Sequence, residues 1–394
     1  MFRFHNGTIV LPDRLLRDGE VVTRDDRIER VGPAGGRSAT RSTEVDLDGG
    51  YLLPGFVDLH VHGGDGADFM DGTADAFEIV LAAHARHGTT SCTPTTTVAR
   101  HDQHLKFLHL VRTCRSTPTG GVRVLGAHIY GPYFAPEARG CHPAAAVRAP
   151  TRADYEPYLE FASDIRTATV APELPGAEEF VRACRAKGIR CNAGHSHATF
   201  EQVQAAIGWG VRHIDHLFCA MSDRARLRQA QTYPMRGGVM EATLFFDELT
   251  TEVIADGKHL APSLLKLAYK VKGPDKLAIV TDAMRALDRP DGEYIFGPLD
   301  GGEPVRKLDN VGVTLDGKAL ASGVTGMDHG VRTFLATTGA PLHDVVRMAS
   351  LTPARIAGVD SEVGSIEVGK KADLLVTDKA LNIRAVYIDG RAVN

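Results

Sequence analysis

Pro54-Gly55-Phe56-Val57-Asp58-Leu59-His60-Val61-His62-Gly63-Gly64 is the stretch on which the reading of the fold turns. An apolar run of strand length ends in two histidines one residue apart. Alternate side chains of a strand share a face, so His60 and His62 can address one metal ion. A lone H-x-H is common by chance; its weight here comes from what lies downstream. His195 closes Cys191-Asn192-Ala193-Gly194, His216 closes His213-Ile214-Asp215, and Asp282 closes Leu277-Ala278-Ile279-Val280-Thr281. Each is a ligand-type side chain at the C-terminal end of a short apolar segment, the edge where barrel sites assemble. Imidazoles with a carboxylate suit zinc or a similar divalent ion, and an open coordination position lowers the pKa of a water toward neutrality.

Working outward, apolar segments alternate with helical ones, the pattern of parallel βα units. Candidate strands are 56–62, 90–95, 122–129, 168–171, 190–194, 213–216, 252–256 and 276–282, the eight that a closed (β/α)8 barrel needs. Phe77, Val80, Leu81 and His84 fall on one helix face, and Thr199 with Gln202 forms a capping box opening another helix. Both ends read differently. Before residue 54 and after 362 come short β pieces and turns such as Asp48-Gly49-Gly50 and Asp389-Gly390, which predicts one small β domain made from both termini. The expected division is 1–54 with 362–394 for that domain and 55–361 for the barrel. Gly63-Gly64 and Gly120-Gly121 lack the spacing of a phosphate cradle and read as turns.

Composition narrows the function classes. The 394 residues are 43% hydrophobic and 24% charged, with net charge -4. No basic tract gives a reason to expect nucleic acid, and no apolar run approaches the roughly 18 residues of a membrane span. The amino terminus, Met1-Phe2-Arg3-Phe4, has no export signature, and six scattered cysteines without a C-x-x-C pair fit reduced thiols. A cytoplasmic enzyme with a small-molecule substrate is the expectation.

The motifs also resemble a family. Pro54 to Gly64, Gly194-His195-Ser196, His216-Leu217-Phe218-Cys219-Ala220-Met221, Ile254-Ala255-Asp256-Gly257-Lys258-His259 and Val280-Thr281-Asp282-Ala283 are similar to N-acetylglucosamine-6-phosphate deacetylase. So are Ala171-Pro172-Glu173 and Ser350-Leu351-Thr352-Pro353-Ala354-Arg355, and the likeness keeps its order nearly end to end. It implies an amidohydrolase of α/β class: a TIM barrel, a small β-sandwich from the termini, metal-assisted hydrolysis of an N-acetyl amide, and a homodimer. It also implies roles: Asp282 as proton carrier, His142 near the scissile carbonyl, and His259 against the substrate, with Cys219 and Ala220 beside it.

Three positions depart from the family. Tyr130 stands in Ile129-Tyr130-Gly131-Pro132 where a metal-ligating Glu is expected, and Cys219 replaces an Asn. Thr232-Tyr233-Pro234 occupies the place of a phosphate-gripping Arg, with Arg228 the nearest substitute. A phenol compensates two cations poorly. The expectation is therefore about one divalent ion per chain, held by His60, His62, His195 and Asp282, with His216 on the ion's water. A substrate other than the 6-phosphate is expected too. Two rivals follow from the same departures: a one-metal deaminase, against which stands Ala198 where such enzymes carry Glu, and a non-catalytic binding protein with a decayed site.

Overall fold

In a computed structural model the described residues are 1–35, 42–116, 121–223, 225, 227 and 234–393. Eight parallel strands make the barrel: β1 (Phe56–Val61), β2 (Thr89–Pro94), β3 (Arg123–Val124 continuing in Ala127–Ile129), β4 (Ile165–Thr169), β5 (Arg190–Ala193), β6 (Val211–Ile214), β7 (Thr250–Ile254) and β8 (Leu277–Val280). Pairing runs in chain order from β1 to β8. Two isolated bridges complete the ring: Thr95 with His128 between β2 and β3, and Val61 with Ala283 between β1 and β8. Gly126, with φ of 138°, breaks the third strand that the sequence suggested as continuous from 122 to 129.

The apolar runs are explained by burial on both faces. β1, β2 and β8 are buried along their whole length, as parallel strands between a packed interior and covering helices must be. The helix Ala74–Arg86 buries Phe77, Val80, Leu81 and His84, the face that the spacing indicated. The helix Phe200–Trp209 opens with the expected capping box. Thr199 N donates to Gln202 Oε1 at 2.8 Å and Gln202 N to Thr199 Oγ1 at 3.3 Å, an arrangement worth about 1 kcal/mol.

The two chain ends meet in one sheet. Its core runs from Leu374–Thr377 through Tyr51–Pro54 to Phe2–Val10, with Ile383–Ile388 and Arg391–Val393 on one side and Leu15–Arg24 and Arg27–Pro33 on the other. Among the described residues the strands are hydrogen-bonded in one continuous path that folds over on itself, so that its two ends face each other across a shared core, as expected of a small sandwich. Phe4 and Tyr387 sit three strand spacings apart along the sheet, roughly 14 Å if it were flat, yet their ring centroids are 5.0 Å apart. The outer strand returns toward the opposite end, where Ile28 N donates to Lys370 O. Val363 packs into a cluster beneath the barrel with Val57 and Ala278, whereas Ile366 belongs to the terminal core.

Two features were not foreseen. Gly63-Gly64 forms a short antiparallel ladder with Ala67–Asp68 where a plain turn was expected. An antiparallel meander, Gly292–Phe296, Glu303–Leu308 and Val311–Thr314, follows β8 and brings Phe296 over the barrel mouth.

Candidate metal centre

β1 and β8 are tied below the site by Asp58, buried, whose Oδ2 accepts from Thr281 Oγ1 at 2.5 Å. Above this tie Asp282 N donates to His60 O at 2.9 Å and His62 N to Ala283 O at 2.9 Å. These bonds set three side chains face to face. Asp282 Oδ1 lies 3.1 Å from His62 Nε2 and 3.6 Å from His60 Nε2. The ligand atoms of His60, His62 and Asp282 all lie within 4.8 Å of one another. Asp282 and His195 stand two residues past their strands, with φ of 47° and 45°. The expected eighth strand, 276–282, ran through Asp282, whereas the expected fifth, 190–194, stopped just before His195; the left-handed backbone is what turns both side chains over the barrel mouth.

The second nitrogens decide what the first can do. His60 Nδ1 donates to Glu252 Oε1 at 2.6 Å, and Glu252 Oε2 accepts from His213 Nε2 at 3.1 Å. His62 Nδ1 faces Thr95 O at 3.3 Å. In the neutral imidazoles both Nε2 atoms therefore carry lone pairs, and neither has a hydrogen-bond partner. Two lone pairs and a carboxylate oxygen converging in a buried space call for a cation between them, so the residues fit a divalent ion. Burial disfavours the His60 imidazolium, but Asp282 and Glu252 outweigh it and hold its pKa at about 9. Burial would also raise Asp282, yet His60 and His62 keep it well below the carboxylate range.

His195 donates from Nδ1 to Ala138 O at 2.7 Å and stacks on Phe134 at 4.2 Å, so its Nε2 is a lone pair at the mouth. Burial keeps it neutral. Gly140, with φ of 59°, comes so close that an added Cβ would lie 3.3 Å from His195 Cε1. His216 differs from expectation: its Nε2 is taken by the Tyr130 hydroxyl. Burial pushes that phenol far up, so it remains the donor, and burial holds His216 down at about 4. The Tyr130 ring fills the space between His60, at 4.4 Å between centroids, His195 at 5.2 Å and His142 at 5.5 Å.

A cavity of about 530 Å³ opens above these groups. His142 lines it and accepts from Val98 N at Nδ1, 3.2 Å away, so its Nε2 bears the hydrogen. Burial holds it far below its ordinary pKa, which makes it a neutral donor. His259 lines the cavity with Nδ1 bonded to Asp256 Oδ2 at 2.7 Å. Cys219 and Ala220 are on the wall as expected, while Arg228 lies outside the described residues, as do Thr232 and Tyr233.

Several contributors were missed. Phe296 packs edge-on against His62 and His142 at 5.2 and 5.0 Å, and Ser322 Oγ lies 3.4 Å from Asp282 Oδ1. Arg139 lines the cavity, its guanidinium bonded to His142 O. Glu252, His213 and Asp215 form a buried polar layer beneath the site. A signal existed: a carboxylate at the centre of strand 250–254, among uncharged neighbours and next to Val253 and Ile254, asks for a buried partner. Among the remaining histidines, His84 bonds to Gly63 O and His104 to Thr97 O, and both are buried where a solvated face had been an option.

Residues 51–393 match the amidohydrolase family. This chain is 32% identical to N-acetylgalactosamine-6-phosphate deacetylase of Escherichia coli O157:H7 over 350 residues, 88% of this chain and 89% of that protein. Identity is also 32% to N-acetylglucosamine-6-phosphate deacetylase of Vibrio furnissii, across 87% and 82% of the two chains. The crystal structure of N-acetylglucosamine-6-phosphate deacetylase from Pasteurella multocida superposes with a TM-score of 0.92 at 30% identity, covering 100% of this chain and 99% of that one. The chain belongs to the N-acetylglucosamine-6-phosphate deacetylase family of amidohydrolases. Family membership makes it a hydrolase of carbon–nitrogen bonds on a metal-dependent scaffold, a (β/α)8 barrel with a β domain from both termini.

Proposed function

We propose that this protein removes the acetyl group from an N-acetylated amino sugar, using about one divalent ion per chain, zinc first among the candidates. His60, His62 and Asp282 would hold the ion, with His195 Nε2 as the further ligand at the mouth. The observation that carries the reading is the convergence of His60 Nε2, His62 Nε2 and Asp282 Oδ1 at a cavity whose wall His142 shares with His62 and Asp282. When bound, the ion supplies Lewis acidity and a water of lowered pKa. Asp282 takes the water's proton and returns it to the leaving nitrogen, which could not depart as an amide anion. His142, a neutral donor pinned by Val98 N, steadies the oxyanion that forms on the carbonyl. His259, oriented by Asp256, with Cys219 and Ala220 on the wall, positions the sugar.

The loop behind the expectation of an unphosphorylated substrate, 228–233, falls outside the described residues, and Arg139 adds a cation at the mouth. The proposal therefore names the amino sugar and leaves its phosphate to the assay. Acetate release is measured from N-acetylglucosamine, its 6-phosphate and N-acetylgalactosamine 6-phosphate. Acetate from at least one, lost in Asp282→Asn, is the expected outcome. Ammonia release from an amino-heterocycle in place of acetate would instead make the protein a deaminase. A homodimer belongs to the same proposal, supported by exposed apolar surface at Phe245, 71% exposed, and Met235, 50% exposed; sedimentation checks it. Cytoplasmic residence is supported by six unpaired thiols and by the lack of a helix, among the described residues, long and apolar enough to cross a membrane.

A further inference from the structure

A second cavity, of about 440 Å³, lies at the opposite end of the barrel, among the N-terminal ends of β5, β6 and β7. Four arginines, Arg185, Arg190, Arg212 and Arg355, line it against two carboxylates, Glu248 and Asp275, in a chain that is acidic as a whole. Asp275 is paired with Arg355 at 2.9 Å. No carboxylate lies within ion-pair distance of Arg185, Arg190 or Arg212 among the described residues. Two of them are held in place. Arg185 Nη1 donates to Trp209 O at 3.0 Å, and Arg212 Nη1 donates to the carbonyls of Ile207 and Val211 at 2.7 Å each. Arg190 lies so tightly over Gly358 that a Cβ there would fall 1.8 Å from its Nη2. Arg185, Arg190 and Arg212 outnumber Glu248, the carboxylate of the cavity that Arg355 does not pair, and an anion among them offsets the excess of positive charge.

The cavity floor adds a different demand. Asn192, 3% exposed, donates its Nδ2 to Asp215 Oδ1 at 2.8 Å, which fixes the amide orientation and leaves its buried Oδ1 without a partner. That oxygen calls for a donor, which a sugar hydroxyl supplies while the whole phosphate group stays with the arginines. We infer that this basal cavity is a second ligand site, for a polyhydroxylated anion of the sugar-phosphate class, with the phosphate at the arginines and a hydroxyl on Asn192. The inference is independent of the chemistry at the barrel mouth. It also has a route to that chemistry, because His213 lines the cavity and bonds to Glu252, which bonds to His60.

Calorimetry on the metal-loaded protein tests it with glucose 6-phosphate, which has no acetyl group to lose, alongside inorganic phosphate and glucose. Glucose 6-phosphate is expected to bind at least about tenfold more tightly than phosphate, with glucose silent. The double variant Arg190→Ala/Arg212→Ala should weaken that binding by about tenfold or more while its acetate release stays at the wild-type value. Arg139→Ala, at the other mouth, should leave the binding intact. Wild-type binding in the basal double variant, loss of binding in Arg139→Ala, or equal affinity for phosphate and glucose 6-phosphate would each overturn the assignment. So would absence of any binding at roughly ten millimolar.

Discussion

Tyr130 puts an uncharged ring among six histidines, where the resembled family has a metal-ligating carboxylate. Its hydroxyl occupies His216 Nε2, so one potential ligand atom is spoken for before any ion arrives. Tyr130→Glu should therefore free His216, supply charge for a second cation, and raise metal content from about one to about two ions per chain by elemental analysis. Unchanged content would show that the carboxylate is not what limits the site. Asp282→Asn removes the proton acceptor while keeping the shape, and kcat should fall by about 10² to 10⁴ with KM little changed. Near-normal kcat would exclude Asp282 as the proton carrier. Glu252→Gln keeps an acceptor for His60 Nδ1 but loses the charge that favours its donated proton. Zinc affinity, followed by chelator competition, should drop by about tenfold to a hundredfold; an unaffected affinity would reduce Glu252 to packing.

At the scale of elements, the joints around the barrel carry as much as the strands. His87 caps the helix Ala74–Arg86, and its ring bridges Asp288, in the loop after β8, at 2.9 Å and Asp328, on the helix Met327–Thr338, at 2.9 Å. Burial works against its charge, but the two carboxylates prevail and raise its pKa to about 9. The folded value lies above that of an unfolded histidine, so this contribution is complete below pH about 6.5 and fades as pH passes about 9. The bridge should stabilise by on the order of 2–3 kcal/mol at neutral pH or below. Melting temperatures of wild type and His87→Ala should then differ clearly at pH 6 and converge by about pH 10. A difference independent of pH would mean that His87 acts by packing alone. The other joints are the left-handed residues His195 and Asp282, where the chain leaves β5 and β8 and swings a side chain inward.

For the molecule as a whole, a cation between His60, His62 and Asp282 would complete a buried cluster of ligand atoms. Removing it should cost stability everywhere, because an ion that binds only the fold adds about 2.7 kcal/mol at a hundred times its dissociation constant. The melting temperature should fall by several degrees with a chelator and recover on adding zinc; indifference to both would remove the ion from the folded protein. The same scale contains the curled terminal sheet, which closes beneath β1 through Leu374–Thr377 and Tyr51–Pro54. Cutting the chain before Leu374 should therefore leave Leu52 and Leu53 uncovered and destabilise the barrel, visible as a lower urea midpoint.

The alternation of apolar strands with amphipathic helices was readable directly, because period and burial are local properties: Phe77, Val80, Leu81 and His84 had to share a face wherever the helix landed. His60, His62, His195 and Asp282 could be picked out for a related reason, since each ends an apolar run and barrels gather such ends on one rim. What the linear order could not convey is which nitrogen of each imidazole is free. That depends on partners far away in the chain: Glu252 for His60, Ala138 for His195, Val98 for His142 and Tyr130 for His216. Nor could it place Phe296 over the mouth or collect Arg185, Arg190 and Arg212 around one basal cavity. Residue type and spacing determine what a segment can become. Ring orientation, tautomer and the sharing of charge are settled only when distant segments pack and bury one another's polar atoms.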